Sequence, residues 1–245
     1  MKFTIAKSHS PANRRGQLGK MLPVIVIATT AVVLGATTFG LLSGKSSNSS
    51  PETSVSTNGG NEKLAALQEN LLTSLALPTD FRTVQEFELL DANGLQITQS
   101  VFEETWSLVF FGFTHCPDVC PITLQVMKDV VARLEAQQKT PPQIVFVSID
   151  PVRDTAESMK KYIGYFNEDF IGITGDVNKV HQLSSSLGIV ASFTANADDP
   201  DNYGVDHTAS LLLIDPQRRV RAKVTPPHEA ETIVADYLTM IAAPS

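Results

Sequence analysis

Apolar side chains along the chain change their spacing several times, and each spacing predicts a different structural element. The longest apolar run lies near the N-terminus, where no side chain from Met21 to Leu42 is charged. Its 22 residues would extend about 33 Å as a helix, enough for the roughly 30 Å hydrocarbon core of a membrane. We therefore predict one transmembrane helix over residues 21–42.

Positive charge precedes this apolar run. Residues 1–20 carry five Lys and Arg side chains and no Asp or Glu. Because such flanks stay in the cytoplasm, we predict a cytoplasmic segment over residues 1–20 and a C-terminal part facing the periplasm or an equivalent space. The chain would then be a single-pass protein of the cell inner membrane. A cleaved signal peptide is the alternative, although no Ala-x-Ala-like cleavage site lies near Thr37–Ser43.

Two segments separate the apolar run from the main pattern. Residues 43–60 are rich in Ser, Thr, Asn and Gly and predict a flexible linker. Residues 61–78 predict an amphipathic helix at the edge of the domain, because leucines recur at helical spacing before Pro78. These leucines are Leu64, Leu67, Leu71 and Leu75.

From residue 79 to residue 245, strand patterns alternate with helical ones. Apolar and polar residues alternate on both sides of the turn sequence Asp91-Ala92-Asn93-Gly94, which predicts a β-hairpin. Trp106–Phe113 and Ile144–Ile149 are almost continuously apolar, as in strands covered on both faces. The order of elements predicts an α/β fold in which helices flank a central mixed sheet.

The remaining patterns complete this domain. Helical spacing continues from about Pro117, and closing strands lie on either side of Asp215-Pro216. Further helices are predicted over Asp154–Phe166, Val177–Leu187 and His228–Ala242, with strands over Ile171–Gly175, Ile189–Thr194, Ala209–Ile214 and Val220–Val224.

The charge of the chain argues against one class of partner. The formal net charge is −7, yet the first 50 residues contain six Lys and Arg and no acidic residue. The rest of the chain is therefore clearly acidic, with 13 basic against 26 acidic side chains. Binding to a phosphate backbone needs clustered Lys and Arg, so nucleic acid is not an expected partner.

The only cysteines, Cys116 and Cys120, lie where the strand Trp106–Phe113 gives way to a helix. In the first helical turn this spacing places both sulfurs on one face, and the positive end of the helix favours thiolates. The arrangement suits disulfide exchange and soft-metal binding equally, and a single structural disulfide is a third alternative. Two thiolates are too few for an iron-sulfur cluster, so a metal would need another ligand.

Histidine is the expected source of that ligand. His207 is favoured because it lies at the start of a predicted strand that would neighbour the strand leading to Cys116. Two thiolates and one imidazole suit Cu(I), and Asp206 could orient the ring. The other histidines are less favoured. His9 precedes the apolar run, and His181 and His228 lie on predicted helices. His115 is adjacent to Cys116, but a neighbour in an extended turn usually points away.

Three ordered motifs closely resemble those of the Sco/SenC family of copper-delivery proteins. They are Gly112–Pro121 (GFTHCPDVCP), Val147–Thr155 (VSIDPVRDT) and Val205–Thr208 (VDHT). The likeness covers roughly residues 80–242 and includes the preceding single membrane anchor. It implies a thioredoxin-like domain outside the cytoplasm that binds copper, as Cu(I) and in some states Cu(II), through Cys116, Cys120 and His207.

Two further features follow from this comparison of motifs. The strand end Asp150-Pro151 leads to Asp154 and Thr155, which we interpret as a helix cap. The closing turn departs from the family pattern, because Pro216-Gln217-Arg218 stands where a glycine is usual. This departure would change the loop geometry without touching the ligands.

The resemblance also implies a role and partners. Family members assist assembly of the dinuclear copper site in subunit II of cytochrome c oxidase by delivering copper, by reducing the target cysteines, or both. Because an exterior compartment favours the disulfide, a thiol reductant or an upstream copper donor would also be needed.

A metallochaperone without turnover is the favoured interpretation, and a thiol:disulfide oxidoreductase is the alternative. Such enzymes usually have a two-residue spacer between their cysteines, and a proline where His207-Thr208 lies here. A peroxidase of peroxiredoxin type fits less well, since the usual Pro-x-x-x-Thr-x-x-Cys surroundings are missing.

Overall fold

A computed structural model describes residues 58–197, 199 and 203–243. The chain separates into two units, residues 1–52 and 53–245, and every described residue belongs to the second unit. The predictions for residues 1–20, residues 21–42 and most of the linker lie outside the described residues. Within the described part, no helix has both the length and the apolar character needed to span a membrane.

Helices and strands alternate through most of the described chain. The five helices there are α1 (Asn58–Gln68), α2 (Val119–Ala136), α3 (Ala156–Gly164), α4 (Val177–Ser186) and α5 (Ala230–Ala242). The strands are β1 (Ser74–Ala76), β2 (Glu88–Asp91), β3 (Gln96–Thr98), β4 (Ser107–Gly112), β5 (Gln143–Ser148), β6 (Ile171–Thr174), β7 (Ala191–Thr194), β8 (Gly204–His207), β9 (Leu211–Ile214) and β10 (Val220–Val224).

Eight of these strands form one mixed sheet in the order β1-β10-β9-β4-β5-β6-β2-β3. β4, β5 and β6 run parallel, whereas β9 lies antiparallel to β4. Every residue of β4 is buried, as its unbroken apolar sequence predicts. The predicted fold class is confirmed in this respect: helices accompany a central mixed sheet.

Both predicted hairpins are present. β2 pairs with β3 around a turn in which Gly94 adopts a φ of 77°, a conformation that glycine takes without strain. β9 pairs with β10 around the closing turn, where Arg218 has a φ of 65°. Arginine therefore occupies a left-handed position in the turn that departs from the family pattern.

The helix predicted over residues 61–78 is wrong in its second half. α1 ends at Gln68, and Ser74–Ala76 instead forms the edge strand β1 against β10. The Gln68 side chain accepts a hydrogen bond from the Ala76 amide at 2.8 Å and donates to the Ser74 carbonyl at 3.0 Å. Tertiary partners for the backbone thus override the helical spacing of the leucines.

β7 and β8 form a separate two-stranded ribbon beside the main sheet. The strand predicted over Ile189–Thr194 is therefore confirmed, and its partner is the segment that carries His207. His207 ends β8 rather than starting the strand next to β4. That neighbouring strand is β9, whose Leu211 lies opposite Phe110.

Candidate metal centre

The two cysteines lie at the junction of β4 and α2. Cys116 precedes the helix, and its amide donates to the Phe113 carbonyl at 3.2 Å. Cys120 is the second residue of α2 and is fully buried, whereas Cys116 is partly exposed. Cys116 thus lies before the first helical turn and Cys120 within it. Both thiols are free in this structure.

A cysteine sulfur takes the place of a side-chain cap at the start of α2. Asp118 occupies the N-cap position without a side-chain cap bond. The Cys120 amide donates instead to the Cys116 Sγ at 3.4 Å. An otherwise unpaired amide at the positive end of the helix thus faces sulfur, which favours a thiolate at Cys116.

Hydrogen bonding divides the two thiols into unlike partners. The hydrogen bond from the Cys120 thiol lowers the pKa of Cys116; burial opposes this in part, and the Asp118 and Cys120 amides add to the lowering. The same hydrogen bond, together with burial, raises the pKa of Cys120. Cys116 is therefore the more nucleophilic thiol. Cys120 keeps its proton until it binds a metal or forms a disulfide.

Gly112 allows this close approach of strand and helix. A Cβ atom at Gly112 would lie 2.8 Å from the Cys120 Sγ and 2.8 Å from Cε2 of Phe146. Both distances are too short for a carbon atom in contact with another heavy atom. A residue without a side chain is therefore required where β4 passes the buried thiol.

His207 faces this pair of thiols from the ribbon. Its Nε2 lies 3.7 Å from the Cys120 Sγ, and its Nδ1 lies 3.1 Å from the Thr208 carbonyl oxygen. A carbonyl oxygen can only accept, so Nδ1 donates to Thr208 and Nε2 is the nitrogen that faces sulfur. The rings of Phe110 and Phe113 flank the imidazole, each with its centroid 6.0 Å away.

The donor set fits a soft metal ion. Across the described residues, no group of three or more His, Cys, Asp and Glu side chains is positioned as it stands to hold a metal. Cys116, Cys120 and His207 are nevertheless linked in pairs by the contacts above. Two thiols and an imidazole nitrogen suit Cu(I) or Zn(II), and closer approach of the three would complete the site.

The other described histidines make different contacts. The half-exposed His115 has its Nδ1 3.1 Å from Thr114 Oγ1 and 3.6 Å from Asp154 Oδ1. His181 packs on Phe193, and His228 contacts Thr123. The suggestion that Asp206 orients His207 is wrong, because the Nδ1 contact belongs to Thr208 and Asp206 is exposed.

The second motif contributes more than the helix cap assigned to it. Thr155 does cap α3, because its hydroxyl accepts from the Ser158 amide at 3.2 Å. Asp154 is instead buried beneath the cysteine turn, where its carboxylate accepts from the Thr114 amide and hydroxyl at 3.0 and 2.6 Å. It also accepts from the Ser148 hydroxyl at 2.7 Å.

Fold and site together define the class: a thioredoxin-like protein in which a strand-to-helix turn carries a Cys-x-x-x-Cys motif and a distal histidine faces it. The chain belongs to the SCO1/SenC family, whose sequence model matches residues 76–242. The expected resemblance is thereby confirmed.

Relatives of known sequence agree with this assignment. A protein of Stutzerimonas stutzeri described as a putative copper-binding protein is 34% identical over 153 residues, which are 62% of this chain and 74% of that protein. The human mitochondrial SCO2 homolog is 39% identical over 132 residues, or 54% of this chain. The chain spans about half the length of that human relative, 49%.

Solved structures extend the comparison to copper-bound proteins. Copper-bound ScoI from Bradyrhizobium japonicum is 30% identical with a TM-score of 0.57, covering 66% of this chain and 99% of that one. Copper-bound ScoI from Arabidopsis thaliana is 26% identical with a TM-score of 0.61, covering 65% and 98%. These relatives share the α/β architecture described above, and each of them holds copper.

Proposed function

We propose that this protein is a membrane-anchored copper chaperone that binds Cu(I) through Cys116, Cys120 and His207. The observation that carries the proposal is the position of the His207 Nε2 atom, 3.7 Å from the Cys120 Sγ. Membership of the SCO1/SenC family and the copper-bound relatives support it. Copper is the cargo of the protein, so the site must both hold it and give it up.

The three ligands have different tasks in this cycle. Cys116, whose pKa is lowered, offers a thiolate at the partly exposed side of the site. Cys120 loses its proton when it becomes a ligand, because its pKa is raised in the protein alone. His207 offers Nε2 as its ligand atom, because Nδ1 donates to the Thr208 carbonyl. Cu(I) supplies a soft acceptor for two sulfurs and one nitrogen.

The destination of the copper is proposed to be the dinuclear site in subunit II of cytochrome c oxidase. This step rests on the family assignment and on the motifs shared with copper-delivery proteins. A thiol reductant or an upstream copper donor would complete the cycle, because Cys116 and Cys120 must be reduced to hold Cu(I). The predicted helix over residues 21–42 would anchor the chain in the inner membrane with the site outside the cytoplasm.

Anaerobic titration of the reduced full chain with Cu(I), against a chromogenic chelator, tests the ligand set. We expect one equivalent of tightly bound copper in the wild type, and loss of tight binding in Cys116→Ala and Cys120→Ala. His207→Ala should bind more weakly, with no imidazole signal in X-ray absorption. His9→Ala, a histidine more than 100 residues before Cys116 in the chain, is the matched control and should bind like the wild type. Unchanged affinity and coordination in His207→Ala would rule out the three-ligand site.

A thiol:disulfide oxidoreductase is the second candidate, and the unlike thiols favour it. A Cys116 thiolate would attack one sulfur of a substrate disulfide, and the other sulfur would leave and take up a proton. Cys120 would then lose its proton and attack the Cys116 sulfur of the mixed disulfide. The Cys116–substrate bond breaks, the substrate's second sulfur leaves and takes up a proton, and the Cys116–Cys120 disulfide forms, so that the two steps together reduce the substrate by two electrons. Rapid turnover of a model disulfide, with no copper bound stoichiometrically, would favour this function over the first.

A further inference from the structure

The ribbon that carries His207 needs support from outside itself. Among the described strands, β7 and β8 pair only with each other, from Ala191 opposite His207 at one end to Thr194 opposite Gly204 at the other. A two-stranded ribbon alone is marginally stable in water. Other contacts must therefore keep the ribbon, and with it the imidazole, beside the cysteines.

The chain itself fixes the end of the ribbon that bears His207. The Thr208 amide donates to the Val190 carbonyl at 2.9 Å, and the Val190 amide donates to the Thr208 hydroxyl at 3.2 Å. Buried Ser210 follows, and β9 then enters the main sheet. This end of the ribbon thus continues directly into the core.

Tyr203 fixes the opposite end. It immediately precedes β8, and its hydroxyl donates to the carboxylate of Asp150, which is only 1% exposed at the end of β5. Arg153 donates from Nη1 to the Tyr203 carbonyl at 3.2 Å, and its Cζ lies 3.9 Å from the centroid of the Tyr203 ring. We refer to Tyr203, Asp150 and Arg153 as the latch.

Two members of the latch, Asp150 and Arg153, also bind each other directly. Arg153 donates from Nε to the second oxygen of Asp150, so the buried carboxylate has a charged partner. Burial and the Asp150 carboxylate raise the pKa of Tyr203 to about 12, and the phenol therefore keeps the proton that it donates. A substitution that removes the Tyr203 hydroxyl should therefore leave the bond between Arg153 and Asp150 in place.

The latch also contacts the site through one aromatic ring. Arg153 Cζ lies 5.7 Å from the centroid of Phe113, and the Phe113 ring lies 6.0 Å from the His207 ring in an edge-to-face arrangement. A continuous set of contacts therefore runs from Tyr203 through Arg153 and Phe113 to the imidazole. Movement of the ribbon end would alter the packing around the ligand.

We propose that Tyr203 is a positioning residue for His207. Its hydroxyl, bonded to Asp150, holds the free end of the β7–β8 ribbon against the core, so that Nε2 stays next to the Cys120 sulfur. The consequence for copper rests on the function proposed above, whereas the latch belongs to the protein without metal. Release of Tyr203 loosens one ligand and leaves both thiols in place.

Amide hydrogen exchange of the reduced, metal-free full chain tests the latch without copper. Tyr203→Phe removes the hydroxyl and keeps the ring. Because a hydrogen bond to a charged group contributes roughly tenfold or more to an equilibrium, we expect amides of the ribbon to exchange about tenfold faster. Amides of β4 and β9 should not change. Tyr165→Phe removes the same hydroxyl from a side chain that is 82% exposed and should leave exchange as in the wild type.

Copper supplies the second measurement. Cu(I)-loaded Tyr203→Phe should transfer its metal to a chelator about tenfold faster than the wild type, with a weaker imidazole signal in X-ray absorption. Unchanged ribbon exchange in Tyr203→Phe would overturn the latch. Faster exchange with unchanged transfer and coordination would overturn the positioning role. Faster exchange in a protein whose wild type binds no copper would sink the proposed function and leave the latch standing.

Discussion

The carbonyl oxygen of Thr208 decides which nitrogen of His207 faces the thiols. It accepts from Nδ1 and so leaves Nε2 as the nitrogen that faces the Cys120 sulfur. The exposed neighbour Asp206, which the sequence offers as the orienting group, takes no part in this contact. A backbone carbonyl is present at every position of a chain, and its use as a ligand orienter becomes visible only in the fold.

Gly112 is the residue whose lack of a side chain admits the buried thiol. Gly112→Ala would place a Cβ 2.8 Å from the Cys120 sulfur. We expect a loss of about 1–3 kcal/mol in the free energy of unfolding, as for overpacked cores. The variant should also bind Cu(I) more weakly, because Cys120 must move. Denaturant unfolding and Cu(I) titration measure the two effects.

Gly164→Ala is the control for this substitution. Apart from its chain neighbours and the backbone of its own helix, no atom lies within 4 Å of a Cβ built at Gly164, which ends α3. Alanine there should leave stability unchanged or raise it by about 0.5–1 kcal/mol. Equal stability of Gly112→Ala and wild type would contradict the close approach of β4 and α2.

His228 makes stability depend on pH. Burial lowers the pKa of His228, the backbone of Val224 opposes this in part, and Nε2 has no hydrogen-bond partner in the structure. The unfolded chain therefore binds the proton first, and stability should fall as pH drops below about 6.5, by at most about 1.4 kcal/mol per pH unit. His228→Gln should flatten that part of the profile. Urea unfolding at pH 8, where His228 is unprotonated in both the folded and the unfolded chain, measures any effect of the substitution on packing alone.

At the scale of elements, the β1 strand depends on a carboxylate of α5. Asp236 is 2% exposed and accepts hydrogen bonds from the amides of Leu72, Thr73 and Ser74 at 2.6, 3.0 and 2.7 Å. Burial alone would raise the pKa of Asp236, but these hydrogen bonds outweigh it and lower the pKa. The edge strand is thus joined to the last helix by charge-assisted bonds.

Asp236→Asn should therefore loosen this end of the sheet. An amide keeps one acceptor oxygen and loses the charge, so we expect a cost of about 1–3 kcal/mol in unfolding free energy. Because the pKa is lowered in the folded state, the contribution is present above the ordinary value of 3.8 and is lost as pH falls below it. Asp129→Asn, on the exposed face of α2, is the control. Equal stability of Asp236→Asn and Asp129→Asn near neutral pH would contradict this role.

Sequence patterns predicted the central strands correctly but not the segment before Pro78. Continuous apolar runs identify β4 and β5 because a strand buried on both faces needs apolar side chains at every position. Leucine spacing before Pro78 suggested a helix, but Asp236, 162 to 164 residues further along the chain, accepts hydrogen bonds from the amides of residues 72–74. Local spacing carries no information about such distant partners. The residue type and its motif were enough to propose His207 as a ligand. The contact of Tyr203 with Asp150 joins distant parts of the chain and could not be predicted in this way.

At the scale of the whole molecule, charge and hydropathy are divided along the chain. Every described residue lies in an acidic part, whereas residues 1–50 carry only positive charge. This division suits a domain tethered outside a membrane by a cationic, apolar N-terminal segment. Tethering would confine the copper site to the neighbourhood of membrane-bound acceptors and raise its effective concentration there.

The predicted helix over residues 21–42 makes this tether testable. The full chain should remain in the membrane pellet after alkaline carbonate extraction. Val32→Asp combined with Val33→Asp places two carboxylates in the middle of the apolar run, which costs about 5 kcal/mol or more on the insertion scale. We expect the double variant in the soluble fraction with an unchanged Cu(I) affinity. Ser46→Asp combined with Ser47→Asp, in the linker, is the matched control and should stay in the pellet. The proposed ligands begin more than 80 residues after the substituted valines, so the copper site should not depend on the apolar run. Loss of copper binding together with loss of membrane attachment would contradict an independent tethered domain.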